Sequence, residues 1–445
     1  MTQSLTPNAK ELIERFENAT AQVGIIGLGY VGLPLAMLMV KAGYRTVGFD
    51  VDWEKVDRLN RGESYIHHFP AGRIQEARKD GKFEATTEYA RLKDVDAIII
   101  CVPTPLNEYR EPDLSYVEVT GQSVGEHLRR GQIVILESTT YPGTTEEVLL
   151  PRLSESRLRV GQDFFLVYSP EREDPGNAHF STRTIPKVLG GITRQCLAVG
   201  ETFYGRVFEK IVPVSGTAAA EMTKLLENIY RAVNIALVNE LKILTDRMGL
   251  DIWEIIEAAS SKPFGYHAFY PGPGWGGHCI PIDPFYLTWK ARQFGFATRF
   301  IELAGEVNTG MPRFVVGKIV KTLALRGIPI AGARILVLGM AYKRDVDDPR
   351  ESPAIKVVEL LREWHIEVSY HDPYIPHFPA GRHGDIGLSS VPLTPERIAE
   401  ADAVLILTDH SCIDYQDVVR HARVVIDTRN ATRSVTEGRE KIVRA

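Results

Sequence analysis

The chain has 445 residues, 44% of them hydrophobic and 24% charged, with a formal net charge of −5. That length exceeds what one hydrophobic core usually organises, so two or three domains are expected. The acidic balance argues against a nucleic-acid partner or an anionic membrane surface, which need a basic excess, and leaves room for a small anionic ligand held by a few cations.

The first twenty residues are too polar for a signal peptide, and Leu12, Ile13 and Phe16 fall at the spacing of a short amphipathic helix. Residues 22–50 read strand, glycine turn, helix, strand: 22–26 is mostly apolar, 27–32 turns, 33–41 is apolar and helical, and 44–49 leads into Asp50. Buried strands are expected at 97–102, ending at Pro103, and at 133–136, ending at Glu137. Short apolar runs separated by helical patterns predict a parallel, doubly wound sheet. The middle of the chain changes character. Residues 217–247 are rich in Ala and Leu and free of Gly and Pro, which predicts a long helix. A loop of Gly, Pro and aromatics follows at 262–286, and Pro312 is expected to start or kink the helical segment running to Arg326.

The last third echoes the first. Residues 334–339 read as a strand entering a turn, 352–364 as a helix, 367–370 as a strand ending at His371-Asp372, and 403–407 resembles 97–102. The expected fold class is α/β: two Rossmann-like, doubly wound parallel-sheet domains joined by a central helical region. The expected boundaries are a helical extension over 1–20, a first sheet domain over 21–214, a central helical domain over 215–330 and a second sheet domain over 331–445. No apolar run approaches the roughly 20 residues that span a bilayer, so a soluble, cytoplasmic protein is expected.

Gly27-Leu28-Gly29-Tyr30-Val31-Gly32 is GxGxxG between a predicted strand and a predicted helix. The first glycine permits the tight turn, the second lets the backbone approach a pyrophosphate, and the third allows close helix–strand packing. Asp50 ends the next strand at the spacing of an acid that grips ribose hydroxyls and repels a 2′-phosphate, which favours NAD over NADP. Asp52 reads better as a helix cap.

The second sheet domain lacks GxGxxG; its first turn is Gly339-Met340-Ala341-Tyr342-Lys343. Lys343 and Arg350 flank Asp345, Asp347 and Asp348. Two cations at a strand-to-helix turn suit a diphosphate, and they suit surface pairs with those aspartates equally well.

The most unusual stretch is 271–284, PGPGWGGHCIPIDP. Four glycines around Cys279 let backbone and substrate approach the sulfur, which favours a nucleophile over the usual small buried thiol. Cys101, inside an apolar strand, suits the buried role. The four cysteines form no CxxC pair, and the histidines show no HExxH, so neither a disulfide framework nor a metal site is expected. Lys224 and Asn228 share one face of the long helix, and an ammonium with an amide can stabilise an oxyanion. Glu221 and Arg231 nearby fit a solvated stripe equally well.

IGLGYVGLP, CVPTP, ESTTYPGTT, SPER, the Lys224–Asn228 helix, GWGGHCIPIDP and YKRDVDDPRESP occur in one order along the chain. Together they resemble the UDP-glucose/GDP-mannose dehydrogenase family over nearly the whole length from about residue 22. The resemblance implies an amino-terminal NAD domain, a helical core that forms a homodimer or higher homo-oligomer, and a carboxyl-terminal domain for the UDP part of a UDP-sugar. It implies a four-electron oxidation of the sugar C6 alcohol to a carboxylate, in which Cys279 captures the aldehyde as a thiohemiacetal and then carries a thioester.

Lys224 and Asn228 would hold the developing oxyanion, Asp283 would move protons near the cysteine, Glu171 would act as acid–base group in hydrolysis, and Thr139 would place the water. The cofactor set implied is Gly27, Gly29, Tyr30, Val31, Gly32, Asp50, Pro103, Thr104 and Thr139; the substrate set is Gly276, Lys343, Arg350 and Arg429. His278 and Ile282 stand where UDP-glucose enzymes usually have serine and lysine. This, with GGHCIPIDPFYL, implies a UDP-N-acetylhexosamine substrate, UDP-N-acetylglucosamine first and UDP-N-acetylmannosamine second, in bacterial surface-polysaccharide synthesis. A UDP-glucose 6-dehydrogenase, a two-electron dehydrogenase of 6-phosphogluconate type and a catalytically silent NAD-binding scaffold are the competing expectations.

Overall fold

The computed structural model describes residues 4–66, 69–107, 109–172, 183–277, 280–378 and 387–445. The chain forms two compact units, Met1–Glu227 with Phe285–Phe296, and Asn228–Pro284 with Ala297–Ala445.

The first unit is built on eight strands: Gln22–Ile26 (β1), Arg45–Phe49 (β2), Phe83–Thr86 (β3), Ala97–Ile100 (β4), Gln132–Leu136 (β5), Phe164–Tyr168 (β6), Lys187–Gly191 (β7) and Ile211–Pro213 (β8). Their order is β3-β2-β1-β4-β5-β6-β7-β8. β1, β4, β5 and β6 are almost wholly apolar and buried, as expected of parallel strands covered on both faces. β7 is the exception: it runs antiparallel to β6, pairing Val167 with Gly191 and Tyr168 with Gly190. The short amino-terminal helix is real and spans Pro7–Glu17, capped by Thr6. It buries Leu12 and Phe16, and the Phe16 ring lies 4.9 Å from that of Phe203.

The second unit has its own parallel sheet: Arg334–Leu338 (β9), Glu367–His371 (β10), Ala403–Ile406 (β11), Val425–Asp427 (β12) and Ile442–Arg444 (β13), in the order β10-β9-β11-β12-β13. β9 sits between β10 and β11 as β1 sits between β2 and β4. The echo read in the sequence is therefore a shared topology, and the α/β class with two parallel-rich sheets holds. The helix after β9 is Pro353–Glu363, with the Ser352 side chain capping Ala354 and proline in the first turn.

Two long helices dominate the middle of the chain. Thr217–Met248 is continuous over 32 residues. Pro312 is expected to start or kink this segment; Arg299–Leu325 contains it, so the first alternative is corrected, the helix beginning a full three turns earlier. Proline has no N–H for the carbonyl of Asn308, and that carbonyl lies beside the glycine-rich loop, 3.3 Å from where a Cβ on Gly274 would stand. The missing helical bond leaves room for close packing of that loop.

Candidate functional site

The three glycines of the first turn do three different things. Gly27 has φ +89°, its N–H donates to the Phe49 carbonyl at 2.8 Å, and a Cβ there would lie 2.6 Å from the Cys101 carbonyl oxygen. A Cβ on Gly32 would overlap the Gly27 carbonyl, whereas one on Gly29 would meet nothing within 4 Å. The open position is the one a pyrophosphate needs. The helix that follows, Gly32–Lys41, starts without a side-chain cap; Leu33 N–H bonds the Gly29 carbonyl at 3.1 Å and Pro34 has no N–H, so what the helix offers an anion is chiefly its positive end.

Asp50 is buried at the end of β2, and its two oxygens accept from Leu28 N–H at 2.9 Å and Asp52 N–H at 3.0 Å. A carboxylate has about four acceptor sites, so two remain for ribose hydroxyls. Asp52 caps the helix Trp53–Asn60 through Glu54 and Lys55, as its sequence position suggests. Thr104 follows β4, and its carbonyl accepts from the buried Tyr286 hydroxyl at 2.9 Å. Tyr30 and Pro103 are exposed, while Val31 and Thr139 are half-buried. These residues fit a dinucleotide: an open glycine, an uncapped helix start, and an acid with acceptor sites to spare.

The helix Thr217–Met248 holds the candidate chemistry. A solvated stripe is not what it presents: Glu221, Lys224 and Asn228 are 0%, 4% and 0% exposed. In the first unit, Lys224 Nζ donates to the Glu171 carbonyl at 2.6 Å and to its carboxylate at 3.3 Å. Arg172 beside it forks onto Glu227, with Nη2–Oε1 at 2.6 Å, and donates to the Pro186 carbonyl at 2.7 Å. In the second unit, Asn228 Nδ2 donates to Asp283 Oδ2, while its Oδ1 accepts from Arg231. Asp283 is 3% exposed at the start of the helix Asp283–Arg292. The structure thus brings Lys224 to Glu171 and Asn228 to Asp283, four residues assigned to one reaction. Cys279 and His278 lie outside the described residues.

The glycine-rich loop and the second turn meet within the second unit. A Cβ on Gly276 would lie 2.9 Å from the Tyr342 side chain and 3.0 Å from the Glu351 carbonyl, and one on Gly272 would lie 2.5 Å from Arg429 Nη1. Arg429 donates to the Leu407 carbonyl at 3.0 Å, and burial lowers its pKa to about 10 despite the neighbouring Asp427. A desolvated guanidinium of this kind favours an anionic ligand. Arg350 forks onto Asp348, with Nε–Oδ1 at 2.8 Å and Nη2–Oδ2 at 2.6 Å, the same two-pronged geometry that a phosphate takes. Lys343 is half-buried on the same segment.

Three further polar residues escape the sequence reading. Glu221 accepts hydrogen bonds from the loop Gly143–Thr145. Asn239, fully buried on the long helix, accepts from Gly272 N–H at 3.0 Å and donates to Asn308 at 2.8 Å, which anchors the glycine-rich loop. Lys187 bonds Glu137 at 2.8 Å and the Pro170 carbonyl at 3.3 Å, under the rings of Tyr204 and Phe208. With Val31, Leu35, Glu171 and Arg172 this pair lines a small cavity in the first unit. The available signal was the spacing of residues 221, 224 and 228, three and four apart on one face.

Models of the UDP-glucose/GDP-mannose dehydrogenase family match three consecutive stretches: its NAD binding domain at residues 21–208, its central domain at 218–310 and its UDP binding domain at 336–434. The UDP-N-acetyl-D-mannosamine dehydrogenase of Pyrococcus horikoshii is 36% identical over 92% of this chain and 95% of that protein. The UDP-N-acetyl-D-glucosamine 6-dehydrogenase of Pseudomonas aeruginosa is 38% identical over 80% of this chain and 83% of its own. Among solved structures, a UDP-D-ManNAc dehydrogenase from P. horikoshii superposes with a TM-score of 0.84 at 33% identity, covering 95% of this chain and 98% of that one. A UDP-glucose dehydrogenase from Pyrobaculum islandicum reaches 0.81 at 27% identity, covering 95% and 96%. No described helix is long and apolar enough to cross a membrane.

Proposed function

The chain belongs to the UDP-glucose/GDP-mannose dehydrogenase family, and we propose that it oxidises the C6 alcohol of a UDP-N-acetylhexosamine to the uronic acid in two hydride transfers. The observation that carries this reading is the buried helix face on which Lys224 holds Glu171 and Asn228 holds Asp283. NAD, when bound, accepts the hydride in each half of the reaction. The residues Gly27, Gly29, Tyr30, Val31, Gly32, Asp50, Pro103 and Thr104 bind it.

Lys224 is an ammonium with three donors and Asn228 an amide with two. Both stand ready for charge that develops on the C6 oxygen, first as alkoxide and then as the oxyanion of the thiohemiacetal. Cys279 adds to the aldehyde carbon, and departure of the second hydride leaves a thioester. Asp283, fixed by Asn228, moves the proton near the sulfur. Hydrolysis breaks the C–S bond as water adds to the carbonyl carbon; Glu171 takes the water's proton, and Thr139 places that water. Lys343, Arg350 and Arg429 hold the nucleotide, and Gly276, whose missing side chain lets the Tyr342–Glu351 turn pack against the glycine-rich loop, lends the substrate its backbone.

The sugar assigned first is UDP-N-acetylglucosamine, on the motifs ESTTYPGTTEE and CVPTPLNEYREPDLSY. The similarity to the P. horikoshii protein favours UDP-N-acetylmannosamine as the second reading. Side-by-side turnover of both, with UDP-N-acetylgalactosamine and UDP-glucose, decides between them. Two NADH per sugar are expected; a ratio of one points to a two-electron enzyme. Cys279→Ser should stop acid formation and leave NAD binding intact, and unchanged turnover would remove the nucleophile role. Leu226, Tyr230, Leu237, Leu241, Leu244 and Met248 are exposed on the long helix at spacings of three, four and seven, which supports a homodimer through that face. Leu241→Glu should give a monomer by light scattering.

A further inference from the structure

One buried carboxylate of the first unit takes no part in the chemistry above. Glu221 is 0% exposed on the long helix. Its Oε2 accepts from Gly143 N–H at 2.6 Å, and its Oε1 accepts from Thr145 N–H at 2.9 Å and from the Thr145 hydroxyl at 2.7 Å. All three donors belong to one turn, the end of the segment that begins at Ser138 and Thr139. Gly143 takes φ +101° there. Among the described residues no cation pairs with Glu221, and a like charge acts on it from Glu146, which itself accepts from Thr217 at 3.2 Å.

Burying a charge without a cation is costly, and an apolar contact would fasten a purely structural turn with less loss. What the carboxylate adds is direction: three short bonds fix the turn in one register against the helix. Three residues further along that helix, Lys224 fixes the Glu171 turn in the same way. One helix face therefore sets the places of the two segments assigned to hydrolysis.

We infer that Glu221 is a positioning residue: its carboxylate fixes the segment 138–145, and with it Thr139, against the helix face that carries Lys224. The inference rests on the proposed role of Thr139 in placing the hydrolytic water. Loss of register should slow hydrolysis of the thioester more than either hydride transfer.

Glu221→Gln offers one oxygen and one NH2 group to three donors, so at least one donor faces a donor. Its kcat is expected to fall by about 10- to 100-fold, the scale of an ångström's misplacement, with KM for the sugar nucleotide changed by less than about threefold. Rapid mixing should show a fast phase of NADH formation preserved, followed by a slow steady phase. Thr145→Val, which removes one donor from the other side, should show the same pattern more weakly, and the double variant should be no worse than Glu221→Gln alone. A Glu221→Gln enzyme with lowered melting temperature and full kcat would make the residue merely structural and overturn the inference. So would loss of the fast phase along with the slow one. Two-NADH turnover by the unaltered enzyme is the separate control: its absence would sink the reaction itself, whatever the variants do.

Discussion

The two sheets begin with the same turn, and only the first keeps it open. In each, a glycine with positive φ follows the first strand and donates its N–H to the neighbouring strand: Gly27 to Phe49 at 2.8 Å, Gly339 to His371 at 2.9 Å. In each, a Cβ on that glycine would press on a carbonyl of the third strand's exit, Cys101 in one and Thr408 in the other, both at 2.6 Å. In each, an aspartate ends the second strand and accepts from the turn. Among the described residues Asp50 stops at two hydrogen bonds. Asp372 accepts five, from Met340, Ala341, Tyr374 and Ile375 N–H and from His410 Nε2, at 2.6–3.1 Å. His410 Nδ1 accepts from Asp345 N–H, so the proton sits on Nε2 and faces the carboxylate. The first helix starts at Gly32, while its counterpart waits until Pro353. The same strand–turn–strand device is thus left open where acceptors are spare and becomes a structural knot where they are all used.

The largest effect should follow from cutting the knot. Asp372→Asn turns an acceptor of paired N–H groups into a donor and should cost about 3–5 kcal/mol of stability, read by denaturant unfolding, with NAD affinity unchanged. Equal losses at Asp50 and Asp372 would end the distinction between the two turns. Asp50→Asn should instead weaken NAD binding by about 10- to 100-fold, measured by titration, at a stability cost near ~1 kcal/mol.

The buried carboxylates also separate by pH. Burial pushes Asp372 up, but its bond to His410 and the backbone N–H groups hold it below 3.8, so its contribution is complete above that pH and is lost as pH falls through the folded value. Glu221 has the opposite sign. Burial raises it from 4.5 to about 7 against the pull of Thr145 and Gly143, so stability is gained as pH falls from about 7 to 4.5 and lost as it rises. The difference is of order 3 kcal/mol, and Glu221→Gln should flatten the melting-temperature profile across that window. The smallest change in stability should come from Gly29→Ala. Nothing lies within 4 Å of its Cβ, so melting should shift by less than about 1 kcal/mol while NAD binding weakens.

Much of this was legible in the chain itself. GxGxxG and Asp50 were readable because a turn and its closing acid are near neighbours in sequence, and so was the helix around Lys224, because Ala- and Leu-rich runs without Gly or Pro act locally. The antiparallel β7 was not readable, since its direction depends on a partner strand rather than on its own pattern. Whether Pro312 starts its helix or lies within it was not readable, because a break in the backbone ladder is tolerated where the glycine-rich loop packs beside it.

Sequence by itself determined the family, the two α/β sheets and the glycine turn. Only the tertiary structure decided which of the two turns stays open and which face of the long helix is buried. It alone turned Glu221 from a surface charge into a clamp. The reason is range: Glu221 meets Gly143 across 78 positions, Asn228 meets Asp283 across 55 and Lys224 meets Glu171 across 53. Whether a polar side chain is solvated or spent on a partner is settled by neighbours that distant, which no local pattern records.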